Sequence, residues 1–217
     1  MVAPARETAA VDDVRHAVYL RPGPPLEAAV AAVHRRMATR WGLAAAGRFM
    51  PHVTLKGFFR TEATPSGLED RVAAALAGHA PVALHQAGVT AFATDAVVLD
   101  VDRDGAGARN AALHALHVAV LDATAPLVVP DRFEAEEYVR DAFRAHVTLA
   151  MADIPAARFA AVLADARSLE PIGPRVSTAA AVQVAVFESA DWSGRWWETM
   201  TWRVFAELPL AGPVSHA

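Results

Sequence analysis

The chain is 217 residues long, enough for one sizeable core or two tightly joined lobes. It has no cysteine, which excludes disulfides, thiolate metal sites and a cysteine nucleophile. A net charge of −4 argues against broad adhesion to nucleic acid and suits a small nucleotide or a single RNA end better than a long duplex.

Residues 1–13 lack the apolar stretch of a signal peptide and read as a loose extension. Val14–Leu20 reads as a strand, ended by Arg21-Pro22-Gly23-Pro24-Pro25. Leu26, Val30, Val33 and Met37 then recur at helical spacing. A strand follows over Pro51–Phe59, and Ser66 with Glu69 forms a capping-box pattern opening a second helix with Leu68, Val72 and Leu76 inward. Val82–Phe92 and Val97–Val101 read as two strands, and Leu113, Leu116 and Val120 mark a third helix. After an irregular stretch over Pro126–Asp141, a strand is expected at Ala145–Met151. A helix beginning near Pro155 comes next, with Phe159, Val162, Leu163 and Ala166 inward. Val182, Val184 and Val186 alternate as a strand, and Thr199–Leu208 returns as its antiparallel partner beyond a turn-rich loop.

The expected architecture is α+β: two lobes with largely antiparallel sheets and flanking helices, related by an internal pseudo-twofold. Residues 14–208 form the single two-lobed domain and residues 209–217 a tail. No apolar run reaches the roughly 20 residues that span a bilayer. No membrane partner is therefore expected; the lack of cysteine and of a signal-peptide core points to the cytoplasm, and a monomer is expected.

Two segments repeat at an offset of 94. Phe49-Met50-Pro51-His52-Val53-Thr54-Leu55 and Phe143-Arg144-Ala145-His146-Val147-Thr148-Leu149 share Phe, His, Val, Thr and Leu in order. On a strand, His52 and Thr54 take one face while Val53 and Leu55 take the other, and the second copy divides likewise. Two such strands side by side would bring two imidazoles and two hydroxyls to one cleft. Imidazole titrates near neutrality, so one ring can take a proton while the other gives one. The hydroxyls can donate to phosphate oxygens.

The paired motifs resemble those of the two-histidine (2H) phosphoesterase superfamily, which includes the 2′-5′ RNA ligase-like proteins and cyclic nucleotide phosphodiesterases. The resemblance spans about Val14 to Leu208 in motif order and spacing. It implies a bilobal α+β fold with a central cleft and hydrolysis of 2′,3′-cyclic phosphates without metal or other cofactor. His52 and His146 would be the catalytic pair, and Thr54 and Thr148 would bind phosphate. This sequence has Ala145 where the second motif usually has proline, and Ala150 where a basic residue is common.

Other candidates come from parity and composition. Lys56 shares the His52 and Thr54 face if the strand continues, and Arg144 shares the His146 parity; Arg103 and Arg140 are weaker phosphate candidates. Phe58, Tyr138 and Trp192 could stack a nucleobase, with Trp192 favoured over Trp196 and Trp197 because it sits in a Gly/Ser turn. His114 and His117, three apart on a helix, could chelate a metal in principle but lack a third ligand and read as core or surface histidines; His34 has no partner pattern.

The function expected is a metal-independent phosphoesterase acting on a 2′,3′-cyclic phosphate at a nucleotide or RNA end. Ligation is the same chemistry reversed, with a ribose hydroxyl replacing water. A non-catalytic nucleotide- or RNA-end-binding module, or an α+β protein whose histidines face separate environments, are the alternatives.

Overall fold

The two repeated segments form strands that lie side by side at the middle of one large sheet. The computed structural model describes residues 14–130 and 140–212. In chain order the elements are β1 (Val14–Leu20), α1 (Pro24–Trp41), β2 (Val53–Thr61), α2 (Pro65–Leu76), β3 (Val82–His85), β4 (Gly88–Phe92) and β5 (Ala96–Asp100). They continue with α3 (Ala111–Thr124), β6 (Val128–Val129), β7 (His146–Met151), α4 (Phe159–Arg167), β8 (Val176–Ala179), β9 (Ala181–Glu188), α5 (Trp196–Thr199) and β10 (Thr201–Pro209).

The large sheet runs β10-β9-β1-β2-β7-β5-β4, with β6 paired to the far end of β2, while β3 and β8 form a separate ribbon. Every pairing is antiparallel. The α+β class holds, and the two expected sheets are the two halves of this one. Their junction is slight, because β2 and β7 are paired only at Val53 and Val147.

Side-chain alternation sorts the apolar residues into two layers. On β1, Val18 and Leu20 pack with the helices, whereas Ala17 and Tyr19 join an aromatic layer on the opposite face with Phe49, Phe187 and Trp192. α1 buries Leu26, Val30, Val33 and Met37 and ends at Gly42 in the left-handed region, φ 72°.

The helices are exchanged between the halves. α1, which follows β1, lies against β7 and α4, and Asp165 of α4 accepts from Arg36 at 2.6 Å and from the Trp41 indole at 3.0 Å. α3, which follows β5, lies against β2 and α2.

Several local expectations change. The cap of α2 is Thr64, which accepts from the Gly67 N–H at 3.2 Å, with Pro65 opening the helix. Ser66 therefore falls inside the helix. The strand expected over 82–92 breaks between His85 and Gly88, so β3 pairs with β8 while β4 joins the large sheet. Gly88 has φ 109°, open to glycine and strained for other residues. Neither β8 nor the single-turn α5 has a periodic signal long enough to read.

Candidate active site

Pairing of Val53 with Val147 fixes the register of the two motifs. One residue to either side, His52 stands across from Thr148 and Thr54 across from His146. The four side chains thus occupy one face as a quartet with the histidines on a diagonal. Diagonal neighbours on an antiparallel pair lie about 7–8 Å apart. Two hydrogen bonds plus the O···O span of a phosphate come to about 8 Å.

Each imidazole is pinned in the same way. The Nδ1–H of His52 donates to the Met50 carbonyl at 2.7 Å, and that of His146 to the Arg144 carbonyl at 2.7 Å. A carbonyl only accepts, so Nδ1 carries the proton and Nε2 is the atom left for a ligand. An aromatic ring backs each imidazole: Tyr19 stacks on His52 at 3.8 Å between centroids, and Phe92 lies tilted against His146 at 4.2 Å. Tyr19 is buried, and burial pushes its phenol above the ordinary value, so it backs His52 as a neutral ring.

The quartet opens into a cavity of about 260 Å³ lined by His34, His52, Thr54, His146 and Thr148, with Tyr19, Phe49, Phe58, Phe92 and Trp196 as an aromatic wall. Among the described residues no lysine or arginine lines it. Among the described residues neither threonine hydroxyl has a hydrogen-bond partner within the chain. Burial lowers the His52 pKa to about 4, helped by His146 and His34 and opposed by the Met50 carbonyl. Burial also lowers that of His146, with the Arg144 cation adding and the Arg144 carbonyl, Asp100 and Asp102 opposing. Both rings are therefore poised as neutral bases until an anion enters.

Both motif strands bulge at the same place. Between Thr54 and Lys56 the register against β1 slips by one residue, and between Thr148 and Ala150 the register against β5 does the same. The extra residues are Leu55 and Leu149, the fourth of each motif. A bulge inverts the alternation beyond it. Lys56 consequently pairs with Val18, on the face opposite Tyr19, and its ammonium lies 5.7 Å from the Phe59 ring. Strand parity had placed Lys56 beside the phosphate; the bulge removes it. Ala150 is turned into the core in the same way, and Gly57 and Met151 take the cleft positions instead.

The other candidates divide. Phe58 lines the cleft and meets Trp196 edge to face at 5.3 Å. Trp192 does not line it: only 7% exposed, it is buried behind Phe58 with the Arg15 guanidinium 5.1 Å from its ring, and Trp196 takes the wall. Arg144 lies at the edge, its guanidinium 5.6 Å from Phe92, so that it covers the ring backing His146 instead of lining the cavity. Arg140 pairs with Asp122 at 2.6 Å, and Arg103 bridges to Arg109, both away from the cleft lining. Tyr138 lies outside the described residues.

Sequence reasoning missed two histidines. His34 lines the cleft, and its Nε2–H donates to the Thr148 carbonyl at 2.9 Å. His117 is 2% exposed, stacks on Phe143 at 3.8 Å, and its Nδ1–H donates to the Leu55 carbonyl at 2.7 Å. The available signal was position: His34 falls four residues after Val30, on the buried stripe of α1. Among the described residues no three His, Asp or Glu side chains gather as metal ligands, and no helix is long and apolar enough to cross a membrane.

No curated protein matches the sequence. Of the solved structures, Escherichia coli LigT in apo form is 16% identical over 91% of this chain and 97% of that chain, with a TM-score of 0.50, and shares the fold. The same protein complexed with NADP+ gives 16% identity, 91% and 97% coverage and a TM-score of 0.49. A phosphoesterase crystal structure gives 14%, 91%, 98% and 0.48. The family model described as the 2′-5′ RNA ligase superfamily matches residues 22–185, a span holding both motifs, and the chain belongs to that superfamily.

Proposed function

We propose that this protein hydrolyses 2′,3′-cyclic phosphates of nucleotides or RNA ends, with His52 and His146 as the acid–base pair and Thr54 and Thr148 as phosphate ligands. The observation that carries the reading is the quartet. Two imidazoles, each with Nδ1 committed to a carbonyl, present Nε2 to one cleft from opposite corners of a pair of hydroxyls. One Nε2 takes a proton from water as its oxygen attacks phosphorus. The other, protonated, gives its proton to the departing ribose oxygen, so the ring opens to a phosphomonoester. The two hydroxyls donate to the non-bridging oxygens as charge builds there.

The lining supports a singly charged diester. Among the described residues it holds no fixed cation, and its aromatic wall of Phe49, Phe58 and Trp196 offers flat apolar surface to a base. The test is hydrolysis of 2′,3′-cyclic mononucleotides and cyclic-ended oligonucleotides in EDTA. Activity is expected to survive chelation, and His52→Ala or His146→Ala to cost at least about 100-fold each. Loss of activity on chelation, or unchanged turnover in either variant, overturns the mechanism.

A further inference from the structure

The bulges at Leu55 and Leu149 face a problem that ordinary strand does not. A bulge interrupts the ladder where the motif threonine must be aimed, and the backbone there needs support from elsewhere. In both strands a histidine from an exchanged helix supplies it: His117 of α3 grips the Leu55 carbonyl of β2, and His34 of α1 grips the Thr148 carbonyl of β7. The device recurs on both sides of the pseudo-twofold, from the two helices that cross between the halves, although the carbonyls held, Leu55 and Thr148, are not at equivalent motif positions.

His34 differs from His117 in one respect. His117 has both nitrogens engaged, since its Nε2 also accepts from the Arg140 N–H at 3.0 Å, and it lies away from the cavity. The His34 ring lies in the cavity wall itself, one carbonyl behind Thr148. Burial keeps it on the neutral side, with its single N–H at Nε2 where the carbonyl needs a donor.

We propose that His34 is a positioning residue which, through the Thr148 carbonyl, holds the bulge that aims the Thr148 hydroxyl at the phosphate, resting on the phosphoesterase reading of the same cleft. Two variants separate the bond from the bulk. His34→Leu keeps an apolar side chain of similar reach without a donor. His34→Gln places an amide N–H near the position of Nε2.

Turnover of a 2′,3′-cyclic mononucleotide and NMR titration of the Thr148 amide with inorganic phosphate are measured for both, with His52→Ala alongside. The Leu variant is expected to lose about 10-fold in kcat, within the roughly 100-fold that a 1 Å misplacement can cost. Its KM should change far less, its phosphate affinity should fall, and the Gln variant should recover most of both losses. Equal behaviour of Leu and Gln, impaired or not, overturns the role of the hydrogen bond. A wild-type protein inactive on every cyclic phosphate overturns the functional reading instead; phosphate titration of the two variants then still decides the role of His34.

Discussion

Replacing Thr148 or Thr54 by valine is the sharpest probe of the quartet, because the structure predicts a loss in one place only. Neither hydroxyl has a partner within the described chain, so the exchange strands no buried donor or acceptor. Valine keeps the branched shape suited to the strand, and folding stability should stay within about 0.5 kcal/mol. What disappears is a hydrogen bond to a charged oxygen, worth about 1.5–3 kcal/mol. That converts to roughly 10- to 150-fold in kcat/KM, at about 1.36 kcal/mol per decade. Register makes a second demand. Each threonine stands across from the other strand's histidine, so the two single variants should lose comparable amounts. If they hold different oxygens of one phosphate, the double variant should lose about the product of the two. The assay is kcat/KM on a 2′,3′-cyclic mononucleotide, with thermal unfolding as control. Wild-type kcat/KM in both single variants, while His52→Ala is inactive, would refute phosphate binding by the hydroxyls.

Four further outcomes are expected. Because both imidazoles of the empty cleft have pKa values below the ordinary 6.5, the form with one ring charged is most populated at acid pH, and kcat/KM should peak below pH 6.5. A bound phosphate anion favours charged imidazole, so kcat should peak at higher pH than kcat/KM; coincident profiles would count against both rings meeting the phosphate. Stability should follow the buried His16 and His117, whose pKa values burial lowers to about 4. The unfolded chain binds more protons than the native one between pH 6.5 and 4. Their contribution is therefore complete above 6.5 and is lost as pH falls, by up to roughly 3 kcal/mol each; denaturant midpoints that do not fall across this window contradict it. Trp196→Ala should raise KM for a cyclic purine nucleotide more than for a cyclic phosphate without a base, through lost stacking of about 1–3 kcal/mol. Equal changes on the two substrates would remove Trp196 from base recognition. Lys56→Met should leave kcat/KM within about threefold, below the roughly 10-fold that a bond to charge commands; a larger loss would place the ammonium back in the cleft.

How far the sequence could be read depends on which physical signal each feature leaves. Long helices and strands were legible because burial imposes period on them: Leu26, Val30, Val33 and Met37 on α1, and Val182 and Val184 on β9, all end up buried. The quartet was legible because duplication marks it and parity orders it. Parity is also where the reading failed. It is a count along one strand, and a bulge is a mismatch between two strands, so the slip at Leu55 that removes Lys56 has no trace in residues 53–57 alone. The sequence ranks Trp192 above Trp196, and wrongly, for a related reason. Four residues apart in a turn-rich segment, both meet Phe58 edge to face and stack on each other, and only their burial separates them: Trp192 is buried while Trp196 lines the cleft. His34 and His117 looked ordinary because their partners are backbone carbonyls of a distant strand, which carry no side-chain signature.

The exchanged helices explain how a site can sit on so slight a seam. A single residue pair between β2 and β7 leaves the two motifs free to diverge on either side, which opens room for a ligand between His52 and His146. It also leaves the relative placement of the halves under-determined by the ladder. What fixes it crosses the seam from outside. α1 leaves the first half to pack on the second, where His34 holds Thr148. The backbone N–H groups of Ala44 and Ala45 beyond it donate to Asp153, just past β7, at 2.6 and 2.9 Å. α3 makes the reverse crossing and holds Leu55 through His117. Each motif strand is therefore braced by a helix that follows a strand of the opposite half, and neither half can shift without straining a brace of the other. The cleft stays open because the seam is short, and its geometry is kept because the helices are exchanged.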